Sequence, residues 1–115
     1  MTHRIFTTAF SDVYPLYLAK VEKKGRTKAE LDHVIEWLTG FSAEEIDVHV
    51  RERSTFEEFF AASRLTDKAH LITGVVCGVK VQEVADPLMQ KIRYLDKVVD
   101  ELAKGKSVAK VTRSD

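Results

Sequence analysis

The sequence predicts an all-α fold, a compact array of about five helices, on three observations. Capping boxes recur along the first half of the chain. Glycines close helical patterns at Gly25, Gly40 and Gly105. A long apolar stripe of helical period runs from Leu88 to Leu102, and a stripe of that kind is buried against other helices.

Each element follows from its own punctuation. Ser11 or Asp12 can cap a first helix, with Pro15 in the first turn, where a missing N–H does no harm. That helix is expected to run to about Lys24 and to stop at Gly25. Thr27-Lys28-Ala29-Glu30 reads as a capping box, since Glu30 can reach back to the Thr27 amide. Leu31, Val34, Ile35 and Leu38 follow at helical spacing before Gly40. Ser42-Ala43-Glu44-Glu45 is a second box, opening a short helix that turns Ile46 and Val50 inward. Ser54-Thr55-Phe56-Glu57 is a third, and Phe56, Phe59 and Phe60 fall on one stripe beyond it.

The stretch from Leu71 to Val81 is ambiguous between a short buried helix and a strand. Its β-branched residues favour a strand, whereas its length and two glycines permit a helix ending at Gly78, the reading preferred here. The last helix is better defined. Asp86 caps it, Pro87 takes the first position, and Leu88, Ile92, Leu95, Val99 and Leu102 share a face that Met89 and Val98 widen. At about 2 kcal/mol per large side chain, burying that face is a major part of the core. Residues 1–106 therefore read as one helical domain, and residues 107–115 as a polar tail in which Val108 and Val111 could dock.

Composition narrows the function classes. The chain has 115 residues, room for one core, and 18 basic side chains against 18 acidic ones. The charges segregate only modestly, with three basic and seven acidic side chains in residues 27–53. No electrostatic footprint for a polyanion results, so a nucleic-acid partner is not expected. The pattern around Trp37–Ser42 resembles a helix-turn-helix in outline. Glu44, Glu45 and Asp47 would then face the phosphates and repel them. The apolar run from Leu71 to Val81 is about half of what spans a bilayer and contains Lys80, so no membrane partner is expected. The N-terminus lacks the apolar core of a secretory signal, and the single cysteine cannot form an internal disulfide. A soluble, cytoplasmic protein is the expectation.

Five separated motifs also carry a family resemblance: Val13-Tyr-Pro-Leu-Tyr17, Lys23-Lys-Gly-Arg26, Trp37-Leu-Thr-Gly40, Gly74-Val-Val-Cys-Gly78 and the whole run Asp86–Lys106. Together they resemble the bacterial domain-of-unknown-function family numbered 2200. The resemblance covers nearly the whole chain and implies a small bacterial cytosolic protein with no assigned reaction. Thr66–His70 departs from it, standing where an Asn-rich loop is expected.

Three sets of residues carry candidate chemistry. Cys77, between Gly74 and Gly78, reads either as a nucleophile or, preferably, as a small buried hydrophobe. Within five residues its only charged neighbour is Lys80, so a base would have to arrive through the fold. Arg93, Asp96 and Asp100 share a shoulder of the last helix. They form either an ion-pair ladder, the preferred reading, or a clamp for a carboxylate or phosphate with an aspartate as base. Tyr14, Tyr17 and Trp37 could line a ligand cleft or fill the core with a polar tip outward. His3, His33, His49 and His70 lack metal-ligand spacing, so neither a metal nor a cofactor is expected. The reading this supports is an interaction or small-ligand-binding module, with a homodimer through spare apolar surface of the last helix and Trp37 as a candidate partner arrangement. The alternative is an enzyme with a cleft near Cys77 and the Arg93/Asp96 shoulder.

Overall fold

The computed structural model describes residues 4–113, so His3 lies outside the described residues. A 3-10 turn at Arg4–Thr7 leads into α1 (Phe10–Glu22), α2 (Lys28–Thr39), α3 (Ala43–Arg51) and α4 (Phe56–Ala62). The strands β1 (Val75–Val76) and β2 (Val79–Lys80), then α5 (Pro87–Ala103) and α6 (Val108–Val111), complete the order. The class is all-α, with one two-stranded hairpin as the only sheet among the described residues.

Local chemistry sets most boundaries. Thr27 and Ser42 each accept the amide three residues on, and Glu30 and Glu45 return a bond to the cap, closing the two predicted boxes. The third box is displaced by one residue: Thr55 and Glu58 form it, not Ser54 and Glu57. Ser54 is otherwise engaged, its hydroxyl 2.8 Å from His49 Nδ1 and its carbonyl accepting the Phe10 amide. Asp86 and Pro87 open α5 as the sequence predicts.

α1 departs from expectation. It begins at Phe10 behind Ala9, which makes no side-chain cap, rather than behind Ser11 or Asp12. Its start is instead held by distant backbone, with Phe10 N–H donating to the Ser54 carbonyl at 2.8 Å and Phe56 N–H to the Thr8 carbonyl at 3.0 Å. This earlier start puts Pro15 inside the helix, where it removes the ladder bond to the Ser11 carbonyl.

The core joins α1, α2, α4 and α5. Phe10 is fully buried and stacks on Phe59 with ring centroids 4.3 Å apart, while Phe41 meets Phe59 edge-on at 5.1 Å. α5 packs on α1, α2, α4, α6 and β1, and Leu95, Val98, Val99 and Leu102 are fully buried along it. Of the two residues that widen this stripe, Val98 is buried within the chain and Met89 is half-buried. Trp37 is half-buried against the core.

The preferred reading of Leu71–Val81 as a buried helix is wrong. A 3-10 turn at Ala69–Leu71 is followed by the hairpin, with Val76 opposite Val79 and Cys77-Gly78 as its two-residue turn. Both turn residues have positive φ, +53° and +76°, as a right-twisted two-residue hairpin demands. Ile72, Val76 and Val81 are buried, but Gly74, Cys77 and Gly78 all take positive φ, which a right-handed helix does not accommodate. The C-terminus is also more structured than a frayed tail. Ser107 caps α6, Val111 is fully buried, and Arg113 binds buried Glu101 through two bonds of 2.6 and 3.1 Å.

Candidate functional site

Where α1 crosses α5, the structure pairs two residues that sequence reasoning had put in separate groups. Tyr17 OH donates to Asp96 Oδ1 at 2.5 Å, and Arg93 Nη1 donates to Asp96 Oδ2 at 3.2 Å. The Asp96 and Arg93 side chains are 18% and 24% exposed, so the ion pair is partly desolvated. Burial, reinforced by the Asp96 carboxylate, pushes the Tyr17 phenol well above its ordinary value. The tyrosine is thus fixed as a proton donor at neutral pH.

Two hollows adjoin this contact, and Val13, Tyr17 and Asp96 line both. The first, of about 160 Å³, is completed by Ile5, Phe56, Met89, Ile92 and Arg93. The second, of about 250 Å³, is completed by Leu16, Lys20, Val76 and Cys77. Cys77 and Arg93 therefore do not share a hollow; the Tyr17–Asp96 contact stands between them. A larger hollow of about 470 Å³ is lined by α3 alone, through Glu44, Asp47, Val48, Val50 and Arg51.

Cys77 is exposed rather than buried, because the tip of a two-residue turn points its side chains away from the sheet it closes. Its thiol makes no hydrogen bond to a base among the described residues, and no histidine lines its hollow. Asp100 does not join Arg93 and Asp96. It pairs with Lys20 at 3.2 Å and Lys104 at 3.1 Å. Although burial works the other way, these two ammonium groups hold its carboxyl below the usual range.

The three aromatic candidates are not brought together. Tyr14 donates to Asp32, which Lys28 also binds at 2.6 Å, and it lines neither hollow. Burial and the Asp32 carboxylate push the Tyr14 phenol up to about 12. Trp37 lines neither hollow either. His33 is exposed, His49 lies between Ser54 and the rings of Phe41 and Phe59, and His70 bonds the Asp67 carbonyl at 2.7 Å. Among the described residues no group of three His, Cys, Asp or Glu side chains could hold a metal ion. No helix there is long and apolar enough to cross a membrane.

Sequence reasoning missed Ile5, Val13, Phe56, Met89 and Lys20 as wall residues. Met89 falls on the apolar stripe of α5, and nothing in the sequence marks Lys20. The Tyr17–Asp96 contact joins positions 79 residues apart, and no spacing rule reaches that far.

Among curated proteins none matches the chain. A solved structure of an uncharacterized protein, SP1917, is similar at a TM-score of 0.91 and 37% sequence identity, covering 99% of this chain and 94% of that one. A family model described as an uncharacterized protein conserved in bacteria matches residues 4–113. With fold, length and sequence agreeing in this way, the chain belongs to that bacterial family, domain of unknown function 2200.

Proposed function

We propose that the chain is a small cytoplasmic ligand-binding module whose site is the hollow bounded by Tyr17, Arg93 and Asp96. One observation carries this reading. Arg93 has five N–H donors, yet among the described residues its only hydrogen bond is the one from Nη1 to Asp96. Nε and Nη2 are left uncommitted on a side chain that is three-quarters buried, at a hollow whose walls beyond Tyr17 and Asp96 are apolar. Apolar walls with a few fixed polar groups are what small-molecule sites are built from. The enzyme reading has less support, because Cys77 lacks a hydrogen-bonded base and lies off the hollow that Arg93 lines.

A screen of small amphipathic fragments, followed through backbone amide NMR shifts of the full chain, tests the site. The expected outcome is saturable, millimolar-range binding that shifts the amides of Val13, Tyr17, Ile92 and Arg93 together. If no fragment shifts those amides, or if all shifts map to α3, the assignment fails.

A further inference from the structure

We infer that the ligand of this hollow is a small zwitterion with an aliphatic body, of the apolar α-amino acid class; the inference rests on the binding reading above. Size comes first. The hollow of about 160 Å³ holds the volume of roughly five waters at about 30 Å³ each. Pockets for drug-sized molecules run to roughly 300–1,000 Å³. The part of an occupant that sits inside is therefore about the size of a single amino acid.

Charge comes second. Among the described residues the polar wall carries one cation, Arg93, and one anion, Asp96, with the Tyr17 hydroxyl committed to the anion. The described wall carries no net charge, yet both signs are presented side by side, 3.2 Å apart. A ligand with net charge would leave water for a site with no net charge to balance it, which is costly at this burial. A phosphate or dicarboxylate would in addition meet the Asp96 carboxylate. A molecule with an ammonium and a carboxylate on one carbon matches the wall. Its carboxylate accepts from the free Nε and Nη2 donors of Arg93. Its ammonium donates to the lone pairs of Asp96 that Tyr17 and Arg93 leave open.

The remaining wall fixes the body of the ligand. Ile5, Val13, Phe56, Met89 and Ile92 supply apolar surface whose one heteroatom, the Met89 sulfur, is a weak acceptor and no donor. A hydroxyl or amide on the ligand would lose its water without a partner there, whereas a branched aliphatic group would not.

Isothermal titration of the full chain with four matched probes tests this: L-leucine, 4-methylpentanoate, isopentylamine and 3-methylbutan-1-ol. L-leucine is expected to bind at least about tenfold more tightly than each of the other three. Arg93→Gln, with its fold checked by circular dichroism, is expected to remove the advantage of L-leucine over isopentylamine. If the acid, the amine or the alcohol binds the same hollow as tightly as L-leucine, the zwitterion inference fails and the small-ligand reading stands. If L-leucine binds but Arg93→Gln leaves its affinity unchanged, the inference fails as well. Failure of all four probes, together with a fragment screen that shifts no amide of the hollow, removes both.

Discussion

Tyr14 shows how much a single buried hydroxyl can report. Its phenol is raised from 10.0 to about 12 by burial and by Asp32, so the folded chain holds that proton more tightly than the unfolded chain does. The stability this contributes is fully present below pH 10 and is lost as pH rises towards 12. Denaturant titrations at stepped alkaline pH are expected to show a steeper decline for the native sequence than for Tyr14→Phe, which lacks the group. Equal slopes would remove Tyr14 from the account. At neutral pH the substitution is expected to cost about 1 kcal/mol, the net worth of one hydrogen bond, because Lys28 still satisfies Asp32. Cys77 teaches the opposite lesson. Its apolar neighbours suggest burial, but a turn residue is displayed by the backbone whatever its flanks. The Gly78 beside it was the readable sign, since the two-residue hairpin turn needs positive φ at both positions.

At the scale of elements, Gly40 is the most demanding junction. It ends α2 with φ +75°, and an added Cβ would stand 2.8 Å from the Arg64 carbonyl oxygen. Arg64 is anchored there, its N–H donating to the Thr39 carbonyl at 2.7 Å, so it cannot easily withdraw. Gly40→Ala is therefore expected to destabilise by about 2–3 kcal/mol, from backbone strain plus the clash. Gly25→Ala, with open space at its Cβ, should cost only about 1–2 kcal/mol of left-handed strain. Urea unfolding of the two variants decides it, and equal losses would mean that the Arg64 contact gives way. Elements with local signals were legible in the sequence: two boxes, the Asp86-Pro87 start and the α5 stripe. Those defined by distant partners were not. The third box moved one residue because His49 claimed Ser54, and two-residue strands are too short to leave a period. The candidate site had the same fate in part. Tyr17, Arg93 and Asp96 were each singled out, but only folding brings α1 and α5 together.

For the whole molecule, α5 is the member that α1, α2, α4, α6 and the hairpin lean on. Leu95 is fully buried in its stripe, so Leu95→Ala is expected to lower the unfolding free energy by about 2–5 kcal/mol. Thermal unfolding monitored by circular dichroism measures this. A variant that keeps its stability but changes its sedimenting mass would mean that the stripe is an interface and not core. Among the described residues the large apolar side chains left exposed lie elsewhere, at Leu16, Val75, Leu71 and Val48.

The borrowed start of α1 ties the order of folding to the order of synthesis. The amide of Phe10 has its partner on Ser54, and the amide of Phe56 has its partner on Thr8. α1 leaves the ribosome before its partners and must therefore wait for more than forty residues to follow before its first turn is anchored. A nascent chain cut short before Ser54 has no local cap with which to hold that turn. Hydrogen exchange at the Phe10 amide should consequently track global opening of the protein and not fraying of one helix end.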